Sequence, residues 1–172
     1  GYLASVTDPL NRTTAYTYDS QGQRISMTDA LNNTWTYAYD SLGRLTDTTD
    51  PLGRVTHNTY DAAGHTTSVT QNYDPNKTQN EDNQWNIVTQ YAYNARGNQV
   101  AVTDTLGRVT TYAYDSAGRL ISSTDPAGNS MTTTYNAAGQ LIAVTDALSR
   151  ITQYAYDSAG RLLSTTDALG TV

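Results

Sequence analysis

A chain that repeats itself every 21 residues must fold into something that repeats in space, and this chain does so along its whole length. The dipeptide Tyr-Asp or Tyr-Asn begins at Tyr18, Tyr39, Tyr60, Tyr93, Tyr114, Tyr135 and Tyr156, at successive spacings of 21, 21, 33, 21, 21 and 21. The long interval holds a 12-residue insertion. The second residue of each pair is Asp19, Asp40, Asp61, Asn94, Asp115, Asn136 or Asp157, and a glycine follows three positions later (Gly22, Gly43, Gly64, Gly97, Gly118, Gly139, Gly160). Eleven residues after each Tyr stands Asp29, Asp50, Gln71, Asp104, Asp125, Asp146 or Asp167, always preceded by Thr, and Thr7-Asp8 completes the series. Residues 1–172 thus read as one array of about eight partial or complete repeats.

Within a repeat the pattern is two short strands and two tight turns. From Arg108 the chain runs Val-Thr-Thr-Tyr-Ala-Tyr, a first turn Asp115-Ser-Ala-Gly118, a second strand, and a second turn Asp125-Pro-Ala-Gly128. An Asp side chain caps its own turn through a backbone N–H two residues on, and Gly supplies the positive φ of a three-residue hairpin loop with a bulge. All four prolines (Pro9, Pro51, Pro75, Pro126) directly follow Asp, where Pro presets φ for the first central position of a type I turn. Asn11, Asn32 and Ser149 replace the second glycine; Asn tolerates the left-handed region, so Ser149 is the expected point of strain. Strand alternation puts Thr110, Tyr112 and Tyr114 on one face and Val109, Thr111 and Ala113 on the other, predicting a stacked aromatic stripe.

Composition agrees. About thirty threonines against one Glu (Glu81) and one Lys (Lys77) favour strands over helices. Both faces of the sheet read as only partly apolar, so cohesion is assigned to ladder hydrogen bonds, Thr and Tyr cross-strand pairs and repetition. About fifteen strands at ~4.8 Å make a ribbon on the order of 70 Å, and open sheets beyond ~10 strands curl or split. The reading is therefore all-β: tandem hairpins in one continuous curved antiparallel sheet, as a spiral, shell wall or solenoid. The absence of cysteine excludes disulfides and thiolate metal sites. No apolar run reaches the roughly 18 residues of a membrane helix. The net charge of -6 does not suit nucleic-acid binding. Gly1 opens no signal-peptide pattern and the chain has no initiator Met, which suggests an excerpt or a processed product whose edge strands pair with adjacent repeats of the same or another chain.

The motif Tyr-Asp-Ser-Ala-Gly-Arg-Leu with Thr-Asp seven residues after its Gly resembles the YD repeat of the Rhs family, best at Tyr114–Leu120, Tyr156–Leu162 and Tyr39–Leu45. The departures are Asn94 and Asn136 for the turn Asp, Gln71 for the second Asp, and Asn58 and Thr133 for the first Tyr. The resemblance implies a wall segment of a β-stranded shell. In this family such shells form the hollow cocoon of bacterial polymorphic toxins and of Tc toxin B and C components, with a related barrel in teneurins. They enclose a C-terminal toxin released by aspartyl-protease-like self-cleavage. It also implies a secreted or cell-surface bacterial setting. Neither the cleavage region nor a toxin is visible in these residues.

The candidate chemistry is sparse. The carboxylates lie at turn positions, where capping is preferred over acid–base catalysis or calcium binding. His57 and His65 flank the Asp61 turn in a register too open for one metal, and no nucleophile elbow occurs. No catalytic residue, metal or cofactor is assigned. The insertion at 71–86 is a possible contact loop centred on Tyr73 and Trp85, with a tolerated polar insertion as the alternative. The leading function is a non-enzymatic shell segment enclosing a toxin; an extracellular fibre or adhesive stalk and a surface carbohydrate-binding module are the alternatives.

Overall fold

The computed structural model describes residues 1–78 and 84–172. Among them there is no helix, and fifteen strands follow one another: β1 (Ser5–Thr7), β2 (Thr13–Tyr18), β3 (Arg24–Thr28), β4 (Thr34–Tyr39), β5 (Leu45–Thr49), β6 (Val55–Tyr60), β7 (Thr66–Gln71), β8 (Ile87–Tyr93), β9 (Gln99–Thr103), β10 (Val109–Tyr114), β11 (Leu120–Thr124), β12 (Ser130–Tyr135), β13 (Leu141–Thr145), β14 (Ile151–Tyr156) and β15 (Leu162–Thr166). They belong to one antiparallel sheet whose hydrogen-bonded order is the chain order. The chain divides into two compact units, Gly1–Gln90 and Tyr91–Val172.

An odd repeat length poses a parity problem that each unit solves in the same way. Side chains alternate faces with period two, so a meander of unbroken hairpins steps an even number of residues between alternate strands and would turn every other repeat inside out. One bulge in each of six first-turn hairpins corrects this. Tyr114 faces Leu120 but Ala113 faces Ser122, leaving Ile121 as the extra residue; Thr46, opposite the Ala38–Tyr39 step, is its counterpart in the first unit. The β11–β12 hairpin, built on the second turn, carries no bulge. As a result Tyr112 faces Ser123, which faces Met131, nineteen residues beyond Tyr112. In the first unit Tyr16 reaches Trp35 through Met27 by the same step. Nineteen and 21 share parity, so equivalent residues of successive repeats share a face, two positions out of step.

That two-residue offset corrects the expected aromatic stack. Tyr114 and Tyr135 are two strands apart, about 10 Å, and also displaced along the strands, too far for their rings to meet. Stacked rings occur instead at Tyr2 on Tyr18, with centroids 5.1 Å apart, and at His57 on Tyr73, 4.5 Å apart.

No apolar side chain among the described residues is buried, and Thr70 is the one buried residue of any kind. The tyrosine face of β2, β4, β10 and β14 is half-buried while the opposite face is exposed. Short hydroxyl pairs knit that exposed face across strands: Thr7 to Thr13 at 2.8 Å, Thr17 to Ser26 at 2.6 Å, and Thr124 to Ser130 at 2.8 Å. Pairs of this kind contribute about 0.2–1 kcal/mol each, so cohesion is distributed rather than concentrated in a core.

Ser149 takes the glycine place of its turn at φ 60°, beside Asn11 at 59° and Asn32 at 64°. For a side chain without the amide of Asn this region costs roughly 1–2 kcal/mol. Ser149→Gly is therefore expected to stabilise the fold by about 1 kcal/mol, read as a higher midpoint in urea, while Gly128→Ser lowers it.

Candidate functional site

The recurring polar constellation of each unit is its five-residue turn. At Asp115 the backbone N–H donates to the Arg119 carbonyl and the Gly118 N–H donates to the Asp115 carbonyl, at 2.9 and 3.0 Å. The carboxylate fills the loop: Oδ1 accepts from the N–H groups of Ala117 and Arg119 at 2.9 and 3.0 Å, and Oδ2 accepts from Arg119 Nε at 2.7 Å. Second turns repeat the pattern, as at Asp50 with Leu52 and Arg54. Where the fifth residue is Asn33 or Asn129, its amide takes the place of the guanidinium. Asn136 keeps the turn with a changed partner: Oδ1 accepts from the Gln140 N–H, and Nδ2 donates to Gln140 Oε1. The loss of the carboxylate is thus matched by loss of the cation.

These contacts favour the ionised carboxylate. At Asp8, Asp40, Asp104, Asp115 and Asp157 the carboxyl is held below its usual range chiefly by the backbone N–H of the arginine four residues on. At Asp29, Asp50, Asp61, Asp125 and Asp146 the chief cause is the side chain at that position: Asn33, Arg54, His65, Asn129 and Arg150. A carboxylate shifted this way and saturated with donors is disposed to hold a turn, whereas a general acid at neutral pH needs the opposite shift.

In six of the seven Tyr-Asp or Tyr-Asn pairs the Tyr ties its hairpin to the preceding one. The β11–β12 ladder ends at the Ser122–Thr132 pair, and Leu120 lies beyond it. Tyr135 reaches back and donates its hydroxyl to the Leu120 carbonyl at 3.1 Å. The same bond, always to the residue fifteen positions earlier, joins Tyr18 to Leu3, Tyr39 to Arg24, Tyr60 to Leu45, Tyr114 to Gln99 and Tyr156 to Leu141. Sequence reasoning missed this lock and took the tyrosines for partners of one another. The residues that depart from the first Tyr also serve it, since Asn58 donates to the Leu45 carbonyl and Thr133 to that of Leu120. Arginines of the preceding turn cover the rings, Arg44 over Tyr60 at 4.8 Å and Arg119 over Tyr135 at 4.6 Å. Gln23 and Gln140 add links to the next turn through the carbonyls of Gly43 and Gly160.

The histidines each meet a carboxylate of their own: His57 Nδ1 lies 2.7 Å from Asp47 and His65 Nδ1 2.8 Å from Asp61. Among the described residues no group of three or more His, Asp or Glu gathers as metal ligands do. In the insertion, Tyr73 stacks on His57 and its N–H donates to the Val55 carbonyl, while Lys77 sits 5.0 Å above the Trp85 ring. Asn86 holds the base of the loop by donating to the carbonyls of Asp74 and Lys77. Both aromatics of the expected contact loop are thus engaged within the chain; residues 79–83, with Glu81, lie outside the described residues.

The RHS Repeat family matches residues 1–34, 18–55, 39–74, 88–130 and 135–172. Solved structures with the same fold include the Photorhabdus luminescens Tc holotoxin pore, at 15% identity and a TM-score of 0.66 over 96% of this chain and 11% of that one. The TcdB2-TccC3 complex without its hypervariable C-terminal region is similar at 18% identity and a TM-score of 0.51, over 88% and 10% of the two chains. The TcdB2-TccC3 complex itself matches at 15% and 0.52, over 90% and 12%. The chain therefore spans about a tenth of the structures it matches. Comparison with curated proteins finds no match in sequence.

Two outcomes test this site. Tyr114→Phe leaves the Gln99 carbonyl without its donor and should destabilise by about 1 kcal/mol in urea unfolding; Tyr135→Phe should lose less, because Thr133 still serves Leu120. Because the folded-state pKa values of the ten Asp residues named above are depressed, the unfolded chain binds more protons in acid. Stability is then fully present above about pH 5 and falls below about pH 4, as the pH drops from the unfolded value near 3.9 through the folded ones, a loss visible in denaturant midpoints across that range.

Proposed function

Because the chain belongs to the RHS repeat family, we propose that it is a non-enzymatic segment of a shell wall that encloses and insulates a polypeptide cargo such as a toxin. The observation that carries this reading is a sheet with neither face committed to a core. Such a sheet stands with water or a partner on both sides. Among the described residues the turn carboxylates are closed within their turns, and hydroxyls on the exposed face pair with one another, an arrangement that suits a structural role. A wall with these properties separates two compartments without reacting with either.

The family likeness supports the architectural role, and the toxin-complex structures of similar fold motivate the cargo. Secretion or display at the cell surface belongs to the same proposal. No helix among the described residues is long and apolar enough to cross a membrane.

Electron microscopy of the complete protein that contains this chain tests the reading. Closed hollow particles, with a C-terminal segment that resists protease until the particle is denatured, are the expected result. Filaments, or a C-terminal segment digested at the rate of an unfolded chain, would replace the wall with a fibre or stalk.

A further inference from the structure

First turns line one rim of each unit and second turns the other, and the two rims use glycine differently. All seven first turns keep it, whereas three second turns have Asn11, Asn32 or Ser149 in its place. Backbone conformation does not explain the difference. Gly43 of a first turn stands at φ 81° and Gly53 of a second turn at 78°, and Asn11, Asn32 and Ser149 hold the same region at 59°, 64° and 60°. A first turn therefore asks something more of its glycine.

The further demand is close approach from the preceding hairpin. A Cβ on Gly43 would stand 2.9 Å from the Gln23 amide nitrogen, one on Gly22 would run into the Tyr2 ring, and those on Gly139 and Gly160 would lie 3.3 Å from Arg119 and Gln140. The covering residue is each time the one twenty positions earlier, next to the previous glycine of the series. Two of these residues also bond there, Gln23 and Gln140 donating to the carbonyls of Gly43 and Gly160 at 3.1 and 3.3 Å. Gly64 is reached differently: nothing crowds it, but Arg44 of the turn before donates to the Asp61 carbonyl of the same turn at 2.8 Å. A Cβ on the second-turn glycines Gly53, Gly107, Gly128 or Gly170 would meet no described atom within 4 Å.

Two turns of nearly the same sequence isolate the effect. Asp40-Ser-Leu-Gly-Arg44 and Asp50-Pro-Leu-Gly-Arg54 share their internal bonds: Oδ1 accepts from the third and fifth N–H groups and Oδ2 from the arginine Nε. Yet the Arg44 side chain is 27% exposed and that of Arg54 62%. Arg44 lies over Tyr60 and bonds the Asp61 turn, both in the hairpin that follows.

We propose that the residue after each first-turn glycine is a latch that closes on the next first turn, and that the row of latches fixes the spacing of successive hairpins along one rim while the other rim spreads and closes. A latch needs a bare glycine to close on, because a Cβ there pushes the flexible end of the side chain away. Second-turn carboxylates, as at Asp50, spend their bonds inside their own turn, so spreading that rim leaves those bonds intact. The proposal rests on the wall reading above and names the margin along which the wall yields.

Hydrogen exchange of the 172-residue chain, read by NMR, tests it. The amides of Asp40 and Gly43 should exchange roughly two- to tenfold more slowly than those of Asp50 and Gly53, the worth of one hydrogen bond, since the two turns match inside and differ in the latch. Gln23→Ala should remove that difference. Gly43→Asn should spring the latch, speed exchange at Asp40 and lower the folding constant in urea by a similar factor. Gly53→Asn, which repeats what Asn11 and Asn32 already do, should leave both nearly unchanged. In the Gln23→Ala background, Gly43→Asn should cost no more than Gly53→Asn does. Equal exchange at the two turns, equal cost of Asn at Gly43 and Gly53, or additive effects of Gln23→Ala and Gly43→Asn would overturn the proposal. Hollow particles from the complete protein would leave the wall standing even then; their absence would remove the wall whatever the exchange rates show.

Discussion

The parity of the repeat is the constraint from which the rest of this structure follows. An odd number of residues cannot be laid into an unbroken meander without reversing its faces, so each of six first-turn hairpins carries one extra residue, as at Ile121. That bulge keeps the tyrosines on one side of the sheet and offsets each repeat by two positions from the last. Past the end of the β11–β12 ladder stands the Leu120 carbonyl, and the Tyr of the next hairpin supplies it with a donor. Parity, bulge and tyrosine lock are one solution rather than three features.

The turns make that solution affordable without a core. A turn such as that at Asp115 satisfies its backbone groups locally and uses one carboxylate for three donors. The ion pairs lie at the surface, exposed or half-buried, where such pairs add little by themselves; their value lies in fixing the side chain that holds the loop. The Asn136–Gln140 pair shows that the requirement is for complementary groups and not for charge as such. Stability in such an array comes as many small increments between neighbours.

Much of this was legible in the residues. The 21-residue period gave the hairpins, Asp and Gly gave the turns, and the half-polar alternation of both strand faces predicted the missing core. The positive φ of Asn11, Asn32 and Ser149 followed from their standing where glycine belongs. The tyrosine lock was not legible, because it depends on a register shift that alternation alone does not encode. Asn58 and Thr133 look like defects in a list of repeats, yet in space they donate to the carbonyl the neighbouring tyrosine uses. The insertion was visible as a length, but the stacking of Tyr73 on His57 depends on where its base lands against β6.

The side-chain hydrogen bonds between hairpins among the described residues reach no further than about twenty positions along the chain, from Gln23 to Gly43 or from Gln140 to Gly160. A hairpin therefore needs only its immediate predecessor to be finished. The polypeptide can set like a zip fastener as it leaves the ribosome or a translocation channel, each stretch locked before the next is exposed, with no wait for a distant segment to return.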